Sequence, residues 1–164
     1  MEHSGVLTKS NLTKRSDMAL LTIGDQFPAY RLTALIGGDL SKVDAQQPED
    51  YFTTISSDDF EGKWRVVFFW PKDFTFVCPT EIAAFGKLND EFIDRDTQVL
   101  GASVDSEFVH FQWRAQHEDL KKLPFPMLSD IKRELVTATG ARNWRTSVAT
   151  LRSRSTGSTH TPGP

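Results

Sequence analysis

The chain has 164 residues, a length that suits one domain better than two. With 38% hydrophobic and 25% charged residues, its composition is that of a globular protein. A formal net charge of -3 gives no whole-chain attraction to nucleic acid, and no apolar run reaches the roughly 20 residues that span a bilayer. The single cysteine excludes a disulfide, a CxxC pair and a cysteine-rich zinc site within these residues.

The N-terminal 17 residues are polar and lack the apolar segment of a secretory signal. Together with the lone cysteine, this favours a cytoplasmic, reducing location. An apolar stretch begins at Met18. Two interpretations of residues 1–17 have equal weight: an extension upstream of a natural start at Met18, or a native flexible arm.

Residues 18–140 alternate between strand-like and helix-like segments. The run WRVVFFW over residues 64–70 predicts a buried strand that Pro71 ends, because proline has no N–H for a sheet ladder. From Pro79, apolar residues recur every three or four positions, which predicts a helix with one buried face. These residues are Ile82, Phe85, Leu88 and Phe92.

A second strand is predicted over residues 98–104, with the sequence QVLGASV. The pair Asp105-Ser106 follows it and can cap a helix. The side chains that this helix is expected to bury are Phe108, Phe111 and Ala115.

The Pro-Phe-Pro turn at residues 124–126 precedes a short strand-like pair, Met127-Leu128. Asp130 can then cap a helix over residues 131–139, which Gly140 ends. Strands alternating with helices predict an α/β fold with a largely parallel sheet.

Residues 141–164 have a different character. They contain four arginines and no acidic residue, and serine, threonine, glycine and proline fill most other positions. No apolar period runs through them, so this segment is expected to be a disordered tail.

The segment between the first strand and the helix contains Cys78. Pro79 suits the first helical position, which places Cys78 at or beside the helix N-cap, where unpaired N–H groups and the positive dipole end stabilise a thiolate. Glu81 can reach back to the capping N–H. Thr75 could donate a hydrogen bond to the sulfur or to a bound oxygen, and Pro71 could shield the pocket from water.

A thiolate in this position can attack a hydroperoxide and become a sulfenic acid. The alternative is an inert thiol that packs as a small hydrophobic side chain. The strand–turn–helix position of Cys78 by itself leaves these two interpretations at even odds.

A family resemblance goes further than the position alone. The string PKDFTFVC matches the PxxxTxxC pattern of peroxiredoxins, and FWPKDFTFVCPTEIAAF resembles the typical two-cysteine group. Within that group, SVDSEFVHFQW, PFPMLSD and the stretch ALIGGDLSKVDAQQPEDYF resemble the actinobacterial alkyl hydroperoxide reductase branch. The resemblance covers residues 18–140.

The resemblance implies a thioredoxin-like fold of the peroxiredoxin type, with Cys78 as the peroxidatic cysteine and Thr75 and Pro71 as its pocket partners. It implies an antioxidant thiol peroxidase that reduces hydrogen peroxide and alkyl hydroperoxides with no metal or organic cofactor. The implied partners are a thiol reductant, either thioredoxin-like or a dedicated disulfide reductase, and further copies of the chain in a dimer or a ring of dimers.

The chain departs from this family after Gly140. The family's DR(A/V)TF string, close to an arginine that contacts the peroxidatic sulfur, corresponds here to TSVATL. We therefore expect the later strands, the closing helix, that arginine and the resolving cysteine to be lacking, and hypothesise a frameshifted end. Arg142 and Arg145 have no matching motif around them. The alternatives are a catalytically impaired fragment without turnover, or a one-cysteine peroxidase.

Two histidines, His110 and His117, are seven residues apart and could share a helical face. No carboxylate or third histidine in the pattern completes a metal site with them. We expect surface or packing roles for both, and a cysteine–histidine protease is a minor alternative.

Overall fold

The computed structural model describes residues 21–41, 47–76, 78–141 and 147–152. The strands are β1 (Arg31–Leu35), β2 (Phe52–Ser56), β3 (Trp64–Phe69), β4 (Thr97–Ser103), β5 (Met127–Ser129) and β6 (Ser147–Arg152). The helices are α1 (Cys78–Lys87), α2 (Asn89–Ile93), α3 (Glu107–Gln116) and α4 (Glu134–Ala138). Within the described residues, the strands form one sheet in the order β2-β1-β5-β4-β3-β6. The predicted extension over residues 1–17 lies outside them.

The sheet is mixed, so the expectation of a largely parallel sheet was wrong. β3 pairs with β4 and β4 with β5 in parallel, as the predicted strands required. β1 pairs antiparallel with β2 and with β5, and β6 pairs antiparallel with β3. β1 and β2 escaped prediction because each is five residues long and half exposed, which gives only a weak apolar signal.

Both faces of β3 are buried, which explains its unbroken run of apolar residues. Phe68 joins one cluster with Ile82 of α1 and Phe111 of α3. Val67 joins a second cluster with Leu135 of α4. Successive side chains of a strand point to opposite faces, so the helices pack on both faces of the sheet.

The helix predicted through Phe92 is divided in two. α1 ends at Lys87, α2 begins at Asn89, and Leu88 between them is 46% exposed. In α3 the predicted cap is confirmed, since the Ser106 hydroxyl accepts a hydrogen bond from the Val109 N–H. The expected burial of Phe108 was wrong, because Phe108 is 47% exposed and its ring packs only edge-on against that of Phe52, 4.9 Å away.

α4 begins three residues later than predicted, at Glu134. Arg133 occupies the N-cap with a positive φ of 59°, so the chain turns sharply before the helix starts. The Asp130 carboxylate still accepts hydrogen bonds from the N–H groups of Leu135 and Val136, at 3.2 and 2.8 Å. Gly140, at φ 75°, follows the helix end as predicted.

Residues 147–152 form β6, so the expectation of disorder was wrong for this part of the tail. The sequence SVATLR lies beside β3 with Val148 opposite Phe68 and Thr150 opposite Val66. A short β-branched segment can complete the ladder of a strand that would otherwise be an open edge. The rest of the predicted tail after Ala141 lies outside the described residues.

Arg114 of α3 is fully buried and links two loops. Its guanidinium donates hydrogen bonds to five backbone carbonyls, those of Ile36, Gly38, Leu120, Lys121 and Leu123. Burial lowers the pKa of Arg114 to about 10. The loop after β1 is therefore fixed to the loop after α3. Of the helices described, none is long and apolar enough to cross a membrane.

Candidate active site

The candidate site lies where β3 gives way to α1. β3 ends at Phe69 and the chain leaves the sheet at Pro71, as predicted. α1 begins at Cys78 itself, one residue earlier than predicted, and Pro79 is its second residue. A proline in the first turn costs no hydrogen bond, because the first N–H groups of a helix have no partner within it.

The backbone position of Cys78 defines what the site can do chemically. The unpaired N–H groups of the first turn of α1 and the positive end of its dipole favour negative charge at this position. A thiolate at a helix N-terminus is stabilised by both effects. The arrangement suits attack on an electrophilic oxygen.

Thr75 is half-buried in the loop that precedes the helix. Its hydroxyl donates a hydrogen bond to the carbonyl oxygen of Lys72 at 3.1 Å. A hydroxyl has one proton, so donation to a sulfur or a bound oxygen requires Thr75 to leave this acceptor. Pro71 is exposed. The pocket roles of Thr75 and Pro71 stay predictions.

Asp73, in the same loop, is buried and was not identified from the sequence. Its Oδ1 accepts a hydrogen bond from the Trp70 indole N–H at 2.7 Å, and its Oδ2 lies 2.6 Å from Nδ1 of His110. Its own backbone N–H donates to Oδ2 of Asp105 at 2.7 Å. Asp73 is therefore held by hydrogen-bond contacts with Trp70 after β3, Asp105 after β4 and His110 of α3.

Phe74 follows Asp73 in a left-handed backbone conformation, with φ 56°. For a bulky residue this conformation costs on the order of 1–3 kcal/mol. Its side chain is 54% exposed, and its ring centroid lies 6.1 Å from that of Trp113. The fully exposed side chain of Phe76 lies two residues further on. The loop before Cys78 is thus strained and presents apolar surface.

A cavity of about 280 Å³ adjoins the loop at the carboxyl ends of β3 and β4. Its lining residues are Phe69, Trp70, Pro71, Lys72, Val104, Arg133, Val136 and Ala141. Arg133 and Lys72 are its cationic residues, whereas Arg142 and Arg145 lie outside the described part of the chain.

The two histidines differ in environment. His110 is fully buried and packs its ring 5.7 Å from that of Trp70, which confirms a packing role. His117 caps the end of α3 and is half-buried. In the described ranges, no three His, Cys, Asp or Glu side chains converge in a way that could hold a metal ion.

Comparison with known proteins gives consistent similarities. A family model described as "AhpC/TSA family" matches residues 23–156. The alkyl hydroperoxide reductase C of Mycobacterium tuberculosis is 82% identical over 126 residues, which are 77% of this chain and 65% of the relative. Its counterpart from Mycolicibacterium smegmatis is 78% identical over the same shares of both chains. A solved structure of Mycobacterium tuberculosis AhpC superposes with a TM-score of 0.74 at 75% identity and covers 82% of each chain.

Proposed function

The chain belongs to the AhpC/TSA family, and from this we propose that it is a thiol peroxidase that reduces hydroperoxides at Cys78. The expected resemblance to peroxiredoxins and their thioredoxin-like fold is confirmed by the same relatives and by the structural match. The chain spans 65% of the length of the curated relatives that it matches first, so its activity is argued from its own residues.

The position of Cys78 at the first residue of α1 carries the proposal. The thiolate sulfur attacks the terminal oxygen of the hydroperoxide, an S–O bond forms and the O–O bond breaks. The leaving alkoxide or hydroxide takes a proton and departs as an alcohol or water. Cysteine sulfur is oxidised by two electrons to a sulfenic acid, and the peroxide is reduced by two.

Turnover requires a thiol from elsewhere, because Cys78 is the one cysteine of the 164 residues. A reductant thiol displaces water from the sulfenic acid to form a mixed disulfide, and a second thiol releases Cys78. We assign this role to a thioredoxin-like protein or a dedicated disulfide reductase. The proposed location is the cytoplasm, where such thiols are kept reduced.

We also propose self-association, as a dimer or a ring of dimers. The apolar side chains of Phe74 and Phe76 support it, because both are exposed beside the candidate site. Sedimentation of the chain and of Phe76→Ser tests this. A faster-sedimenting species that Phe76→Ser dissociates is expected; a monomer at every concentration would contradict self-association.

The experiment for the peroxidase function is a single-turnover reaction of the purified chain with stoichiometric hydrogen peroxide. Sulfenic acid on Cys78 is trapped with a dione reagent and counted by mass spectrometry, with Cys78→Ser as the blank. We expect oxidation orders of magnitude faster than that of free cysteine. A rate equal to that of free cysteine would support the alternative, an impaired fragment without turnover.

A further inference from the structure

His110 lies in the second turn of α3 with none of its surface exposed. Its two ring nitrogens face different elements: Nδ1 lies 2.6 Å from Oδ2 of Asp73, and Nε2 lies 3.2 Å from the carbonyl oxygen of Leu128 in β5. Both neighbours are hydrogen-bond acceptors. The ring thus connects the loop before Cys78 to the sheet.

Each ring nitrogen of His110 lies within hydrogen-bond distance of a different acceptor, so the side chain bridges Asp73 and the backbone of Leu128. Asp73 is 7% exposed, and a buried carboxylate is costly unless it is paired and hydrogen-bonded. His110 Nδ1 is the hydrogen-bond partner of one Asp73 oxygen, and the Trp70 N–H donates to the other.

The loop over residues 71–76 requires a contact that holds its backbone in place. Asp73 lies between Pro71 and Thr75, directly before the strained Phe74, and a strained backbone persists only where its surroundings hold it. We propose that His110 is a positioning residue of the active site. By holding Asp73 it fixes the loop over residues 71–76 against the start of α1. This inference rests on the proposed peroxidase function.

Two amide variants of His110 distinguish a role in positioning the loop from a role in packing alone. The amide nitrogen of asparagine lies close to the Nδ1 position of histidine, and that of glutamine close to the Nε2 position. His110→Asn therefore keeps the donor to Asp73, and His110→Gln keeps the donor to Leu128. Both variants lose the ring and its contact with Trp70, so packing losses are similar.

We expect single-turnover oxidation of Cys78 to slow by about 10- to 100-fold in His110→Gln, the order expected for a reacting group misplaced by a fraction of an ångström. His110→Asn should remain at least about tenfold faster than His110→Gln. In an Asp73→Ala background, His110→Gln should add no further loss, because its effect passes through Asp73. Equal rates in the two histidine variants would overturn the proposal.

A readout independent of activity is amide hydrogen exchange of residues 72–76. We expect faster exchange in His110→Gln than in the starting protein, and slower exchange in His110→Asn than in His110→Gln. Unchanged loop exchange in His110→Gln overturns the inference.

The two proposals fail in distinguishable ways. If the starting protein reacts no faster than free cysteine, the peroxidase function fails, while loop exchange still decides whether His110 positions the loop. Should neither histidine variant fold, Asp73→Ala replaces them. Faster amide hydrogen exchange of residues 72–76 in Asp73→Ala than in the starting protein would support the positioning role of the Asp73–His110 contact. Exchange at the rate of the starting protein would overturn it.

Discussion

Gly101 of β4 lies directly against the indole ring of Trp70. A Cβ on Gly101 would come within 2.7 Å of Cζ3 of Trp70, closer than side chains pack. Trp70 is 3% exposed and its indole N–H donates to Asp73, so a displaced ring would lose this hydrogen bond. The absence of a side chain at Gly101 therefore sets the position of Trp70, and through it one side of the loop before Cys78.

Gly101→Ala tests this relationship. We expect a loss of about 1–3 kcal/mol in the free energy of unfolding, because an extra methyl group in a packed core forces side chains or backbone to shift. The fluorescence of Trp70 should also change. Urea denaturation followed by fluorescence measures both.

Gly86→Ala is the matched control. A Cβ on Gly86 of α1 would meet the Leu123 side chain at 3.1 Å, which a small movement of that side chain relieves. Alanine also favours a helix over glycine by about 1 kcal/mol. We expect stability within about 1 kcal/mol of the starting protein. A loss equal to that of Gly101→Ala would contradict a specific role for the Trp70 contact.

Arg114→Met should destabilise the fold by about 3 kcal/mol or more, because buried carbonyls that lose their donors each cost about 1–3 kcal/mol. The guanidinium that it removes donates to five carbonyls, and its hydrogen bonds to those of Leu120 and Leu123 are fully buried. Arg95→Ala is the control, since Arg95 is exposed and pairs with Glu91 at 3.9 Å. Surface pairs of this kind contribute about 0–1 kcal/mol. Equal denaturation midpoints for the two variants would contradict the role of Arg114.

Local patterns in the sequence predicted the centre of the fold. β3 and β4 are buried on both faces and read as apolar runs, and α3 has its cap at Ser106 as expected. The helix-start position of Cys78 followed from the proline beside it. These elements were predictable because propensity, capping and burial all act within a few residues of one another.

Pairings between distant parts of the chain could not be predicted in this way. His110 and Asp73 are 37 residues apart, and Arg114 and Ile36 are 78 apart. Nothing in the local pattern distinguishes these buried polar residues from solvated ones. The edge strands β2 and β6 also depend on the neighbours that they pair with rather than on their own apolar content.

Thr75→Val tests the predicted pocket role of the hydroxyl. If Thr75 donates to the sulfur or to the peroxide during the reaction, we expect Cys78 oxidation to slow by about 100-fold or more, the usual effect of removing one positioned donor. Thr75→Ser keeps the hydroxyl and should retain most of the rate. Thr33→Val, at an exposed strand position, controls for the substitution itself. If Thr75→Val reacts as fast as the starting protein, the hydroxyl has no part in the chemistry.

Asp130 gives a prediction about acid stability. Burial raises the pKa of this carboxyl above its ordinary 3.8, although hydrogen bonds from Val136 and Leu135 act in the opposite direction. As the pH falls toward 3.8, the folded state takes up this proton before the unfolded state does. Stability therefore increases on acidification wherever the folded state binds more protons.

The free energy of unfolding of the starting protein should consequently rise relative to that of Asp130→Asn between neutral pH and about pH 4. Relative to Asp39→Asn, the starting protein should instead lose stability below about pH 4. Hydrogen bonds from Ser41 lower the pKa of Asp39, and the stability that they confer is lost as the pH falls from 3.8 through this lowered pKa. Urea denaturation of the three proteins at a series of pH values measures both differences. Parallel pH profiles for the starting protein and Asp130→Asn would show that burial of Asp130 does not raise its pKa.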